Sequence, residues 1–155
     1  MEIGMEIFLQ SLLNNRHKYQ KELQQAISSF LYRKDRYSNE FSIVLIYIKN
    51  NQYNYEFEKI VRQTDKYIYF SSDLHCIILD ETSSKSYIKA AENIQYSLQK
   101  LQRNIFYTAT VSSEYHFLDA ANMLSTLLDI LIYAIRNNLS NIVVDSTILE
   151  NYNHL

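Results

Sequence analysis

The amino-acid sequence predicts an α/β (α+β) domain in which helices, the first of them long, flank a central sheet of about five strands. Two observations carry this prediction. Segments with helical spacing of apolar residues alternate with short β-branched and aromatic runs, and two of those runs enclose a tight turn, as in an antiparallel hairpin. The 155 residues suffice for one substantial core. We therefore expect a single domain over residues 1–155, with an N-terminal helix and connector in 1–40 and the sheet with its helices in 41–148.

Three segments, 6–32, 87–101 and 118–136, have the apolar spacing of amphipathic helices. The apolar positions of the first are Phe8, Leu12, Leu13, Tyr19, Leu23, Ile27, Phe30 and Leu31, and those of the second are Ile88, Ala91, Ile94 and Leu98. Residues 33–40 are charged and predict a connector, and 53–61 has room only for a short helix. The stripe on the first helix predicts either docking to a partner or a second copy, or packing onto the chain's own sheet.

Five segments predict strands. Residues 41–48, FSIVLIYI, form a continuous β-branched and aromatic run, which is typical of a central strand buried on both faces. Residues 66–70 and 75–79 predict the two strands of the hairpin, and 105–111 and 141–144 predict two more. The chain has no proline and a single glycine, Gly4, so turns that need a positive φ must use Asn, Asp or Ser.

The composition excludes several functional classes. Hydrophobic residues make up 47% of the chain, as in folded globular proteins, and the formal net charge of −2 gives no broad attraction to nucleic acid or anionic lipid. No apolar run reaches the ~18 residues of a membrane span, and the N-terminus lacks the basic start of a signal peptide. We therefore expect a cytoplasmic protein without nucleic-acid partners. The one cysteine, Cys76, lies in an apolar run and is expected to be a buried, inert thiol.

The segment 62–82, RQTDKYIYFSSDLHCIILDET, resembles the catalytic hairpin of GGDEF domains, the diguanylate cyclases that join two GTP molecules into cyclic di-GMP. The family's Gly-Gly-Asp-Glu-Phe turn stands here as Ser71, Ser72, Asp73, Leu74 and His75, so that two serines replace the glycines that admit the phosphates. Five segments follow the family's motifs in order: 11–16 (SLLNNR), 41–46 (FSIVLI), 79–82 (LDET), 108–112 (TATVS) and the spaced set Asp129, Tyr133, Arg136 and Asn141. The resemblance covers nearly the whole chain and implies the palm-like sheet of that family.

The resemblance also implies that the catalytic chemistry is lost. The cyclases hold two divalent cations with an Asp at the end of the first strand and an acidic residue of the turn, and these positions are Tyr47 and Leu74 here. The segment 50–61 is too short for the helical pair that reads guanine in the family. One carboxylate remains, Asp73, and we expect it to form the turn. We expect no catalytic residue, no bound metal and no cofactor.

One feature of the family is retained. Many cyclases carry an inhibitory product site, Arg-x-x-Asp, five residues ahead of the turn, and Arg62 and Asp65 stand at that spacing. Lys89 falls near a second basic position of the family, and Asn93 falls where an Arg is common. An Arg fork binds guanine edges or phosphate, and an Asp accepts from guanine N–H groups. The alternative is a solvated surface ion pair, and the sequence leaves both open.

These observations predict a catalytically inactive GGDEF-like regulatory domain. It either binds cyclic di-GMP through Arg62, Asp65 and Lys89, or acts through a protein partner or a homodimer without any nucleotide. Residual nucleotide chemistry is the alternative from the enzyme class. Tyr47 and Leu74 argue against that alternative because neither offers a carboxylate to a metal.

Overall fold

A computed structural model describes residues 3–115 and 119–149 of the protein, which form a five-stranded mixed sheet flanked by helices. The elements in chain order are α1 (Ile3–Tyr37), β1 (Ser42–Lys49), a 3-10 turn (Phe57–Lys59), β2 (Lys66–Tyr69), β3 (Leu74–Leu79), α2 (Tyr87–Leu101), β4 (Ile105–Ser112), α3 (Ala120–Arg136) and β5 (Val143–Asp145). The strand order is β2-β3-β1-β4-β5. All neighbouring strands are antiparallel except β4 and β5, which are parallel.

Strand β1 lies at the centre of the sheet, as its continuous apolar run predicts. It pairs with β3 on one side and β4 on the other, and seven of its eight residues are buried. Successive side chains point to opposite faces of the sheet. Ile43, Leu45 and Tyr47 therefore enter the core beneath α1 and α3, whereas Val44 and Ile46 enter the core beneath α2. The hairpin β2–β3 extends the sheet beyond β1 and carries the turn that resembles the catalytic one.

Helix α1 packs its apolar stripe against the chain's own α3 and sheet. Of the two alternatives predicted for this stripe, docking to a partner or packing onto the chain's own sheet, the structure shows the packing. Leu12, Leu23 and Ile27 are fully buried there, and Phe8 is partly buried. Between the helices, Arg16 Nη2 donates to Ser125 Oγ at 2.8 Å. The stripe thus does not form a free docking surface. Only Leu13 of the predicted positions points away, at 57% exposure.

The predicted connector 33–40 is wrong in its first half, because α1 continues to Tyr37. Lys34 and Arg36 lie in the last turn, where positive charge favours the helix dipole. Ser38 then takes a φ of 59° and ends the helix, and its N–H donates to Lys34 O at 2.9 Å. Charge alone therefore does not mark the end of this helix.

Segment 53–61 contains only a short 3-10 turn, Phe57–Lys59, which agrees with the predicted room for a short helix. Two smaller predictions need correction. On α2, Ile88 of the predicted apolar face is exposed, and Tyr87, which was not assigned to that face, is buried. Strand β5 begins at Val143 rather than 141, since Asn141 takes a φ of 60° and its side chain accepts from Phe106 N at 3.0 Å.

Helix α3 has a visible start signal at its first turn. Asp119 is its N-cap, and the carboxylate accepts from Asn122 N at 2.9 Å. The predicted helix start at Leu118 lies outside the described residues. The predicted burial of Cys76 is confirmed, because the thiol lies in the core beneath α1, and this burial raises its pKa. None of the described helices combines the length and apolar character needed to cross a membrane.

Candidate functional site

The turn between β2 and β3 is held by its own side chains. Ser71 Oγ accepts from the backbone N–H groups of Leu74 at 3.0 Å and Asp73 at 3.3 Å. On its outer side, Asn51 Nδ2 donates to Ser72 O at 3.0 Å. A phosphate bound at such a turn would need free backbone N–H groups. Two of them are already occupied by Ser71, the residue that replaces the family's first glycine.

Tyr47 and Leu74, the two positions where the resemblance implies metal-binding carboxylates, are directly opposite each other on β1 and β3. Both side chains are buried in the core beneath α1, with Leu74 at 0% exposure. The Tyr47 ring stacks on Phe8 of α1, with centroids 3.6 Å apart and planes 8° apart, and lies 5.9 Å from the Tyr107 ring. The two residues thus lie together as parts of an apolar cluster.

Asp73 is the one carboxylate of the turn. Burial raises its pKa, and a hydrogen bond from the Asn51 backbone opposes this effect. A hard divalent cation needs several oxygen ligands. Among residues 3–115 and 119–149, no group of three or more His, Cys, Asp and Glu side chains is placed to hold a metal ion. The backbone carbonyl of Asp73 accepts from Ile48 N at 2.8 Å, which continues the pairing of β1 with β3 to the end of the turn.

His75 is a buried part of the hairpin. Its Nε2 lies 3.1 Å from Ser72 O, and its Nδ1 lies 2.7 Å from Tyr67 Oη. A carbonyl oxygen can only accept, so Nε2 carries the hydrogen and the Tyr67 hydroxyl donates to Nδ1. The ring also stacks on Phe57, with centroids 4.3 Å apart. Burial lowers the pKa of His75 to about 4, although the Ser72 carbonyl opposes the effect, so the imidazole is neutral at neutral pH.

A cavity of about 300 Å³ lies beside this imidazole, between the loop after β1 and the hairpin. Its lining includes Tyr53, Tyr69, Asn51 and Asn54. Asn51 is already used by the loop, because its Oδ1 accepts from Tyr53 N at 3.0 Å while its Nδ2 binds the turn. Asn51 is therefore a loop residue whose side-chain amide is already bonded through both its oxygen and its nitrogen.

Asp65 is the best-satisfied carboxylate of the candidate product site. Its side chain is 1% exposed and accepts four hydrogen bonds, two at each oxygen. Oδ2 accepts from Arg62 N at 2.8 Å and Arg62 Nε at 3.2 Å, and Oδ1 accepts from Arg62 Nη2 at 3.0 Å and Asp80 N at 2.9 Å. An ionised carboxylate has about four acceptor positions. Asp65 therefore has none left for a guanine N–H.

Arg62 is held from one side and open on the other. Its Nη2 also donates to Asp80 O, and it lies 3.5 Å from Thr82 Oγ1. The side chain is nevertheless 57% exposed. The pair is thus neither a solvated surface pair nor two free ligand groups, since a buried Asp holds a half-exposed Arg in one orientation. The sequence motif 79–82 was recognised, but the contacts of Asp80 and Thr82 with Arg62 were missed because they depend on tertiary placement.

The three residues predicted for the product site line one groove. This groove, of about 390 Å³, lies between the hairpin and α2, and Arg62, Asp65, Lys89 and Asn93 all contribute to it. Lys89 is exposed on the first turns of α2. Two side chains of positive charge, together with the carboxylates of Asp65 and Glu81, therefore line a concave surface of the size of a small ligand.

Neither a protein-family model nor a curated protein matches the sequence, whereas several solved structures match the fold. A microbial GGDEF domain, described for its mode of interaction with cyclic di-GMP, has a TM-score of 0.65 at 10% identity, over 81% of this chain and 92% of that one. The active GGEEF domain of a diguanylate cyclase from Vibrio cholerae has a TM-score of 0.60 at 15% identity, over 81% and 95%. The GGDEF domain of DgcB from Caulobacter crescentus, in complex with cyclic di-GMP, has a TM-score of 0.60 at 7% sequence identity. The match covers 82% of this chain and 87% of that one.

These matches define the class of fold. At identities of this size the likeness concerns the fold alone, and it covers most of each chain. The central five-stranded sheet, the antiparallel hairpin and the long N-terminal helix together form a GGDEF-like α+β palm. The fold that the sequence predicted is therefore confirmed.

Proposed function

We propose that this chain is a regulatory GGDEF-like domain that does not synthesise cyclic di-GMP. The observation that carries the proposal is the pair Tyr47 and Leu74, which face each other across β1 and β3 inside the core beneath α1. Joining two GTP molecules by two-metal chemistry needs carboxylates that hold the cations against the attacking and leaving oxygens. An aromatic and an aliphatic side chain stand in that place.

The surroundings of this pair support the same proposal. The ring of Phe8 covers Tyr47 and leaves no open space above it for a cation or a triphosphate. Ser71 occupies two backbone N–H groups of the turn, and Asn51 is bonded within its own loop. Binding of a metal ion, of the GTP phosphates or of the guanine base would therefore require that these side chains and backbone groups first give up the contacts described here.

Incubation with GTP and either Mg²⁺ or Mn²⁺ tests the absence of catalysis. We expect no cyclic di-GMP by chromatography, with an active diguanylate cyclase as the positive control. Product above the control without protein, together with its loss in Asp73→Ala, would refute the proposal because it would assign the remaining carboxylate a catalytic role.

A second function, binding of cyclic di-GMP, is favoured by the groove between the hairpin and α2. Arg62 and Lys89 bring two positive charges to it, and cyclic di-GMP carries two phosphodiester groups and two guanine edges that such groups recognise. Two of the similar solved domains are described with cyclic di-GMP. Asp65 has a different role here from the predicted one, because it holds Arg62 in place rather than contacting the base.

Calorimetric titration with cyclic di-GMP tests this second function. A dissociation constant in the micromolar range is expected, equivalent to about −8 kcal/mol. Lys89→Ala should weaken binding by about 2 kcal/mol, since it removes one charge-assisted contact from an exposed position. Lys85→Ala is the matched control, because Lys85 is exposed four residues before Lys89, just ahead of α2, and does not line the groove. GTP should bind far more weakly.

The variants separate the possible outcomes. Arg62→Ala should weaken binding by about 2–3 kcal/mol, and its fold must be checked by circular dichroism because Arg62 also bonds to Asp65 and Asp80. No heat at high cyclic di-GMP, or equal affinity of the wild type and both groove variants, would leave Arg62 and Asp65 as a structural ion pair. The regulatory role would then rest on a protein partner or a homodimer.

A further inference from the structure

The outer face of α2 carries a row of exposed side chains at helical spacing. Ile88, Glu92, Tyr96 and Lys100 follow one another at intervals of four residues, and all four are exposed. Tyr96, at the middle of the helix, is 60% exposed. The Lys100 ammonium lies 5.1 Å from the centroid of its ring. A tyrosine between two opposite charges, with an isoleucine one turn beyond the acidic residue, forms a row that can bind a complementary helix.

Further apolar side chains surround this row. Leu101, the last residue of α2, and Ile142, which lines a groove beside Ile88 and Tyr96, are also exposed. Grooves of about 660 and 750 Å³ lie on the two sides of Tyr96, and both include Tyr96, Gln99 and Asn141 in their lining. Clustered exposed apolar surface beside grooves marks an interaction site more often than scattered residues do.

We propose that this surface binds a second copy of the same chain, with the two α2 helices antiparallel and Tyr96 at the two-fold axis. Glu92 and Lys100 are each four residues from Tyr96, which is ~6 Å along the helix. Reversal of one helix about Tyr96 therefore places Glu92 of each copy opposite Lys100 of the other. The two Tyr96 rings meet at the axis, and the same contact occurs twice, as a two-fold interface requires.

The charges favour a second copy over contacts within one chain. Glu92 and Lys100 are ~12 Å apart along α2, which is too far for an ion pair within the helix. Glu92 forms no ion pair with another residue of the described ranges. The apolar stripe of α1 is not an alternative surface for the same contact, because α1 is buried on the opposite face of the sheet.

Sedimentation velocity of the whole chain tests the proposal through charge reversal. At about 200 µM the wild type should contain dimers, since a small interface of this kind associates weakly. Glu92→Lys and Lys100→Glu should each weaken dimerisation about tenfold, because two attractive contacts become repulsive. The double variant Glu92→Lys/Lys100→Glu restores opposite charges and should return to within about threefold of the wild type.

Two further variants locate the interface. Tyr96→Ser should weaken dimerisation by about thirtyfold, because it removes the contact at the axis. Leu13→Ser, at an exposed apolar position of α1, is the matched control and should dimerise like the wild type. A monomeric wild type, a dimer that survives Tyr96→Ser, loss of the dimer in Leu13→Ser, or no recovery in the double variant would each overturn the proposal. Circular dichroism verifies that every variant is folded.

Discussion

Acid should destabilise this fold through His75. The ring is 5% exposed, Nε2–H donates to Ser72 O, and Nδ1 accepts from Tyr67. Protonation would add a hydrogen at Nδ1, which would then face a hydroxyl that already donates to it. It would also place a charge between the Phe57 ring and the sheet. A falling pH therefore drives the protonation of a buried, neutral imidazole whose two nitrogens are both already hydrogen-bonded.

The magnitude follows from the two pKa values. In the unfolded chain the imidazole has its ordinary pKa of 6.5, and in the folded chain burial lowers it to about 4. A depressed pKa means that the unfolded state binds the proton first, so the stabilisation is complete above about pH 6.5 and is lost as the pH falls towards 4. The full difference is worth about 3 kcal/mol, and about 2 kcal/mol of it is lost between about pH 7.5 and about pH 5. A domain with ~5–15 kcal/mol of stability responds measurably.

Urea denaturation followed by far-ultraviolet circular dichroism at about pH 7.5 and about pH 5 measures this loss. His75→Gln removes the titrating ring, so its pH dependence should be smaller than that of the wild type by about 2 kcal/mol. His17→Gln is the matched control, because His17 is exposed on α1 and should keep the wild-type response. The raised pKa of Asp73 acts in the opposite direction, but both variants retain it. The same pH response in His75→Gln as in the wild type would refute the assignment.

Two further predictions concern the buried ends of the hairpin. Leu74→Glu places a carboxylate without a partner in the core, so it should lower the free energy of unfolding in urea by more than the ~2–5 kcal/mol expected for Leu74→Ala, without any diguanylate cyclase activity. Wild-type stability in Leu74→Glu would contradict the apolar cluster. Asp65→Ala should cost about 3 kcal/mol, because it removes the ion pair with Arg62 and leaves two backbone N–H groups, of Arg62 and Asp80, without their acceptor. A cost below ~1 kcal/mol would show that the four hydrogen bonds contribute little.

The regular elements could be predicted from the sequence because each has a local signature. The continuous apolar run of β1 and the paired runs of the hairpin depend on residues within a few positions of one another. The predicted bounds of α2 are those observed, Tyr87–Leu101. Its buried face was assigned less well, since Tyr87 and Ile88 are adjacent and apolar, and only contact with β5, where the Tyr87 hydroxyl donates to Asp145 at 2.8 Å, selects the first.

The candidate site, too, has features that the sequence could predict and features that depend on the tertiary structure. The spacing of Arg62 and Asp65 indicated a candidate product site, with a surface ion pair as the alternative, and the structure brings both residues to one groove with Lys89. The sequence could not predict that Asp65 is saturated, because one of its four donors is the backbone N–H of Asp80, fifteen residues away. The sequence also could not predict that the Phe8 ring stacks on Tyr47, since the two residues are far apart in the chain and no local pattern pairs them.

The packing of α1 and the proposed loss of catalysis have one physical cause. Phe8 can stack on Tyr47 only because neither Tyr47 nor Leu74 is charged, since a carboxylate at either position would need water or a cation that α1 excludes. The helix is also bound to the hairpin itself, because the Tyr19 ring stacks on Phe70 with centroids 4.5 Å apart. Restoring carboxylates to the two strands would therefore not recreate a metal site. It would first have to displace α1, together with the apolar contacts that hold the helix on the sheet.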